Sequence, residues 1–230
     1  MSKQEPELDW LDGDVPRAIG FGDTYFSKAG GLEETRHVFI GGNRLPERLS
    51  SRHSFTIAEF GFGTGLNFLT TLDLIAAQAK APDLLFVSFE LHPLSAAQLE
   101  RALLAFPALA ALSEQLLRTW APEPGWNRMK IAGADLLLGI GDAREMISDL
   151  VLRDGEGARG GTAIPAIDAW FLDGFSPAKN PELWDQDLLA RAAALTASDG
   201  TLATYTAAGW VRRNLQAAGF TIEKKPGFAG

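Results

Sequence analysis

Between Thr56 and Leu69 the chain reads Thr-Ile-Ala-Glu-Phe-Gly-Phe-Gly-Thr-Gly-Leu-Asn-Phe-Leu. An apolar run over Phe55–Phe60 meets three glycines at alternate positions, Gly61, Gly63 and Gly65, and a helical pattern opens near Leu66. The order is strand, tight turn, helix N-terminus. Glycines in such a turn permit positive φ and let a ligand approach the main chain without meeting a Cβ, while the first turn of the helix offers unpaired N–H groups. A nucleotide-like ligand suits that arrangement, and a glycine-rich βα turn without a ligand is the plain alternative.

The spacing bears on which ligand. A dinucleotide loop has Gly-x-Gly-x-x-Gly, whereas the third glycine here comes one residue early and an acid, Glu59, stands two residues before the first. The pattern Glu-x-Gly-x-Gly-x-Gly resembles motif I of the class I S-adenosylmethionine-dependent methyltransferases. In that family the loop passes beneath the methionine part of a ligand that carries no phosphate.

With 230 residues, 46% of them hydrophobic, the chain can bury a full core as one domain. No apolar run reaches membrane-spanning length, and the polar start lacks the order of a signal peptide, so a cytoplasmic protein is expected. The absence of cysteine excludes disulfides and thiolate chemistry, and His37, His53 and His92 show no metal-ligand spacing. A net charge of −8 opposes broad, unaided nucleic-acid binding.

Residues 1–23 read as a polar arm, and Tyr25–Ser27 and Thr35–Ile40 as short strands around Ala29-Gly30-Gly31. Lys28, Arg36, Arg44, Arg48 and Arg52 make this region basic, either as a solvated face or as a phosphate-contacting edge. A helix over Leu66–Ala79 leads to a strand over Leu84–Leu91. Glu90 at its end is placed to accept from both ribose hydroxyls, or is simply an exposed strand-end carboxylate. Helices over Ser95–Phe106 and Leu109–Trp120 flank Pro107, and paired strands follow over Arg128–Ile131 and Leu136–Ile140. Asp142 is either a contact to an adenine amino group or the N-cap of a helix over Ala143–Leu152, and the two roles are compatible. A glycine-rich loop over Asp154–Pro165 precedes a strand over Ala169–Leu172. Next come helix Glu182–Thr196, strand Thr201–Thr206, helix Ala208–Ala218 and strand Phe220–Lys224. This alternation predicts an α/β fold, a mostly parallel sheet with helices on both faces, and Glu59, Glu90, Asp142 and Asp173 fall at the carboxyl ends of successive strands, where ligands bind. Residues 1–53 are expected to supply an arm and substrate-side strands, and residues 54–230 the methyltransferase core.

Three stretches sharpen the resemblance: Phe-Leu-Asp-Gly-Phe-Ser-Pro-Ala-Lys-Asn-Pro-Glu-Leu-Trp from Phe171, Thr-Leu-Ala-Thr-Tyr-Thr-Ala-Ala-Gly-Trp from Thr201, and Gly-Leu-Glu-Glu-Thr-Arg-His-Val-Phe from Gly31. They closely resemble the methyltransferase half of the MnmC family, bacterial bifunctional enzymes that finish 5-methylaminomethyl-2-thiouridine at the tRNA wobble position. The resemblance implies a class I fold and methylation, with S-adenosylmethionine, of an aminomethyl nitrogen made by an FAD-dependent oxidoreductase partner. It also implies a final strand beyond Gly230, so that a fragment is expected. Asp173 becomes the candidate catalytic base. Glu59, Gly61, Gly63, Gly65, Asn67, Glu90 and Asp142 become the candidate cofactor contacts, and Tyr25, Arg36, Phe175, Pro177, Lys179 and Asn180 the candidate substrate contacts, with Trp184 a further possible wall of the base pocket. A primary amine is mostly protonated at neutral pH, and only its neutral lone pair attacks a sulfonium methyl, so a carboxylate that orients the amine and draws off its proton fits the chemistry. Asp173-Gly174 is otherwise a plain turn signal. A small-molecule amine methyltransferase, a nicotinamide oxidoreductase and a non-catalytic binding module are the alternatives.

Overall fold

The computed structural model describes residues 5–27, 30–153 and 161–228. Strands β1 (Leu8–Leu11), β2 (Val15–Ala18) and β3 (Asp23–Thr24) form a small antiparallel sheet where the sequence predicted a polar arm. The Asp12-Gly13-Asp14 turn that joins the first two takes positive φ at Gly13 and Asp14, the conformation a tight hairpin requires. Arg101 fastens this hairpin to the body, lying 4.2 Å over the Trp10 ring and 2.8 Å from Asp14.

The strand expected over residues 35–40 is instead helical. Helix α1 (Gly31–Thr35) runs directly into a π-helical stretch over Arg36–Gly41, and α2 (Leu45–Ser50) follows. The β-branched and aromatic run Val38-Phe39-Ile40 favours a strand locally. Burial of Leu32, Thr35 and Phe39, spaced three and four apart, selects the helix. The Tyr25–Ser27 strand does not form either. Lys28 and most of the glycine-rich loop, residues 154–160, lie outside the described residues.

The body is built from β4 (Ser54–Phe60), α3 (Leu66–Ala76), β5 (Asp83–Glu90), α4 (Ala96–Leu103), α5 (Ala110–Thr119), β6 (Gly125–Ile131), β7 (Ala134–Ile140) and α6 (Ala143–Met146). It continues through β8 (Leu150–Leu152), β9 (Thr162–Ile164), β10 (Ile167–Leu172), α7 (Gln186–Ala194), β11 (Thr196–Thr204) and α8 (Gly209–Ala217). Six strands make one sheet in the order β11-β10-β4-β5-β7-β6, parallel throughout except for β6. Alternate residues feed two cores. Phe55, Ile57, Phe86, Leu136 and Phe171 face α1–α5, while Phe60, Val87, Phe89, Trp170 and Leu172 face α6–α8. Burial on both faces explains why the central strands read as continuous apolar runs.

Three expected elements change. The helix predicted to reach Leu152 ends at Met146, because Leu150–Leu152 pairs with β9 as a strand. The helix predicted from Glu182 starts at Gln186, after a 3₁₀ turn over Pro181–Trp184, with Asp185 as its N-cap accepting from Leu188 N–H. Residues Phe220–Lys224 form no strand, since no described strand pairs with them.

Candidate active site

The carboxyl ends of β4, β5, β7 and β10 open into one cleft of about 870 Å³. Its floor is the glycine loop after β4. Gly61, Gly63 and Gly65 have φ of 82°, 55° and 70°, so all three occupy the left-handed region that favours glycine. They differ in what surrounds them. A Cβ on Gly61 would come within 2.9 Å of Gly174 Cα, so this glycine lets the loop pack on the turn that carries Asp173. A Cβ on Gly65 would strike the Phe62 ring at 2.8 Å, and Gly65 serves packing beneath the cleft rather than its surface. Gly61 and Gly63 line the cleft, with Tyr25 covering Gly63.

Asn67, in the first turn of α3, joins the buried acids. Its Nδ2 donates to Glu59 Oε1 at 2.8 Å and to Asp173 Oδ2 at 2.7 Å, and its Oδ1 accepts from the Thr35 hydroxyl at 2.8 Å. Every hydrogen-bonding group of the amide is therefore directed. Glu59 is fully buried and does not line the cleft; Ser88 Oγ–H occupies its other oxygen at 2.8 Å, and burial holds its carboxyl well above the ordinary range. Its place is behind Asn67, not against a ligand. Asp173 does line the cleft. Burial raises its carboxyl to about 7, against the opposing pull of hydrogen bonds from Asn67 and the Gly174 N–H, with the charge of Glu34 adding to the rise.

Glu90 at the end of β5 accepts from Gly63 N–H at 2.8 Å and His92 N–H at 2.9 Å, which locks the loop to the neighbouring strand and leaves lone pairs toward the cleft. Asp142 caps α6 through Arg144 N–H at 2.9 Å and pairs with the Arg144 guanidinium at 2.5 Å, which holds its carboxyl below the usual range. The N-cap reading of Asp142 is thus observed, and the residue also lines the cleft.

On the opposite wall Phe175 packs between Tyr25, at 5.2 Å, and Phe21, at 4.7 Å, and Asn180 lines the cleft beside them. Lys179 does not line the cleft; its ammonium lies 3.1 Å from Asp23 and donates to the Gly22 carbonyl at 2.6 Å. Other expected contacts fall elsewhere. Pro177 is buried outside the cleft, and Trp184 is core, donating its indole N–H to the Phe175 carbonyl at 3.2 Å. Arg36 points to Asp73 on α3 at 3.3 Å. Arg48 and Arg52 lie at the amino end of the sheet. Arg48 donates to Thr201 Oγ1 at 2.6 Å and to the Asp168 carbonyl at 2.9 Å, while Arg52 bridges Asp168 and Asp199. This half of the basic cluster is structural, because its charges face acids across the sheet.

Three residues of the site carried no local signal. Glu34 lines the cleft from α1, Tyr205 donates its hydroxyl to the Gly174 carbonyl at 2.9 Å, and Phe21 packs on Phe175. Glu34 and Tyr205 were hinted at only by lying within the Gly31 and Thr201 stretches that carry the resemblance, and Phe21 by nothing. Glu5, Glu7, Asp23, Glu34, Glu90 and Asp173 all line the cleft, against Arg144 as its one lining arginine or lysine among the described residues. The lining therefore carries a net negative charge.

A family described as S-adenosyl-L-methionine-dependent methyltransferase matches residues 107–230, which include Asp142 and Asp173. Curated relatives named tRNA 5-methylaminomethyl-2-thiouridine biosynthesis bifunctional protein MnmC are similar along nearly the whole chain. The protein of Stutzerimonas stutzeri is 44% identical over 98% of this chain, and that of Pseudomonas aeruginosa 46% identical over 98%. The chain spans about a third of the length of these relatives, 33% and 34%. Among solved structures, MNMC2 from Aquifex aeolicus superposes with a TM-score of 0.69 at 24% identity, covering 96% of this chain and 66% of that one. That likeness establishes the fold, a class I methyltransferase sheet.

Proposed function

Since this chain belongs to the S-adenosyl-L-methionine-dependent methyltransferase family, we propose that it methylates the aminomethyl nitrogen of 5-aminomethyl-2-thiouridine at a tRNA wobble position. The observation that carries this reading is Asp173, a carboxyl raised to about 7 at the wall of an acidic cleft beside the glycine loop. The residues fit the cofactor. Gly61 and Gly63 leave the loop surface without side chains, Glu90 has lone pairs for ribose hydroxyls, and the acids suit a ligand with a sulfonium and an ammonium. When bound, S-adenosylmethionine supplies an electrophilic methyl group.

The chain's own residues prepare the nucleophile. Moving a proton from an ordinary alkylammonium, with a pKa of about 10.4, to a carboxylate of about 3.9 costs roughly 9 kcal/mol. With Asp173 at about 7 that cost falls to roughly 5 kcal/mol. Burial thus makes Asp173 a stronger base while the Asn67 N–H holds its Oδ2, and this cleft-lining carboxyl is the group that meets the amine. Phe21, Tyr25 and Phe175 offer aromatic faces for a base turned out of its stack. In this reading residues 1–53 form the acceptor side and residues 54–230 the cofactor core. The relatives are named as bifunctional, which supports an FAD-dependent oxidoreductase as partner in preparing the acceptor, and a tRNA substrate would place the reaction in the cytoplasm. Among the described residues no helix is long and apolar enough to cross a membrane.

The acidic cleft lining, with Arg48 and Arg52 engaged at the far end of the sheet, favours a second reading, a small-molecule amine acceptor. Transfer of labelled methyl to undermodified tRNA, with and without the aminomethyl group, decides between them. Labelling that requires both tRNA and the amine supports the proposal, and labelling of free amines alone supports the second reading.

A further inference from the structure

Glu34 is a cleft carboxyl whose side chain has no partner among the described residues. It extends from α1 into the space that Asp173 and Tyr205 also line, and no hydrogen bond or ion pair to another described residue holds it. The adjacent Thr35 turns inward to Asn67 at 2.8 Å, so the helix carries one side chain to the network behind the site and the next to the site itself. The charge of Glu34 is felt by Asp173 and by Tyr205. Two half-buried carboxyls that face one volume repel each other, and a cation between them relieves both. The occupant must also satisfy two acceptors. A primary ammonium has three N–H donors, whereas a hydroxyl has one and a sulfonium none.

We propose that Glu34 is a specificity-determining residue that holds the acceptor amine together with Asp173, one N–H directed to each carboxylate, and so selects a primary amine over neutral acceptors. The inference rests on the amine-methylation reading above. In the step itself the ammonium proton passes from nitrogen to Asp173, and Glu34 keeps one of the remaining N–H groups. The freed lone pair then forms the N–C bond as the C–S bond breaks, and sulfur retains the electron pair. The product is a secondary ammonium, still cationic and able to donate to Glu34, and to Asp173 once that carboxyl has lost its proton to solvent. The titratable groups around this pair are Asp23, Tyr25, Glu59, Glu90 and Tyr205, and Lys179 is occupied by Asp23.

The test compares the intact chain with Glu34→Gln and Glu34→Asp, using labelled S-adenosylmethionine and aminomethyl-bearing tRNA. In Glu34→Gln the KM for tRNA should rise roughly ten- to hundred-fold, as for loss of a charged hydrogen bond. Calorimetric affinity for S-adenosylhomocysteine should stay within about two-fold, as expected of a side chain that does not touch the cofactor. Removing the negative charge beside Asp173 should also shift the acidic limb of kcat/KM to lower pH, which a merely structural residue would not do. Glu34→Asp should recover part of the KM and carries the test if Glu34→Gln melts early. An unchanged KM and pH limb would overturn the inference, and so would weakened S-adenosylhomocysteine binding at unchanged KM, which would assign Glu34 to the cofactor. Failure of the wild-type chain to methylate any amine would refute the parent reading, and this inference with it, before any variant is compared.

Discussion

Asn67 Nδ2 lies 2.7 Å from Asp173 Oδ2, across 106 residues of sequence, and donates its other N–H to Glu59. One amide therefore connects a glycine-loop helix, a fully buried acid and the candidate base. Because Thr35 occupies the Asn67 oxygen, the amide cannot turn over without breaking a third bond. This pins Oδ2 of Asp173 and so orients its carboxyl in the cleft wall.

Asp173→Asn keeps the shape and most of the hydrogen bonding but removes basicity. Methyl transfer should fall by about 10²–10⁴, while affinity for S-adenosylhomocysteine changes little. Single-turnover rates alongside calorimetric titration check this, and loss of binding would place Asp173 in the cofactor shell instead.

The pH profile should carry the same signature. Asp173 works as a base only when ionised, and burial raises its carboxyl to about 7, so kcat/KM should decline as the pH drops below that value. Asn67→Ala withdraws an N–H from the carboxylate and should move the limb to higher pH. A limb that stays in place would show that Asn67 does not tune the base.

Stability should follow pH in the opposite sense. Glu59 and Asp173 both have carboxyls raised by burial, so the fold favours their neutral forms. The stability they confer is complete below the ordinary carboxylate range and is lost as pH rises through their folded values, for Asp173 near 7. Melting temperatures measured from pH 5 to pH 8 should fall, and Glu59→Gln, which keeps an acceptor for Asn67, should flatten that fall.

Gly61→Ala and Gly65→Val should fail for different reasons. The first drives a Cβ toward Gly174 Cα, 2.9 Å away, and displaces the Asp173 turn, so turnover should drop in a chain that still folds. The second strikes the Phe62 ring and Leu116 inside the core and should lower the melting temperature. Circular dichroism melts paired with activity separate the two.

Arg52→Ala should leave the KM for tRNA unaltered and cost about 1–3 kcal/mol of stability, because it leaves Asp168 Oδ1 without its partner, with only the Thr56 N–H on Oδ2, in a side chain that is only 10% exposed. Denaturant unfolding measures the loss. A raised KM with normal stability would return Arg52 to the substrate face.

The strand-loop-helix at Glu59–Asn67, the four strand-end acids and the parallel sheet were legible in the sequence because each rests on a local pattern: a run of apolar residues, glycines at fixed spacing, a change of period. Such patterns are set by backbone geometry within a few residues. Tertiary structure decided what no local pattern encodes. Packing on Phe106 and Leu66 made residues 31–41 helical despite their β-branched run, which put Glu34 into the cleft and Thr35 behind it. Pairing of β4 with β10 placed Arg52 against Asp168 at the amino end of the sheet, away from the ligand side, where the basic run around it had left open either a solvated face or a phosphate-contacting edge. The direction a side chain faces depends on which distant element covers it, and that is fixed only when the sheet closes.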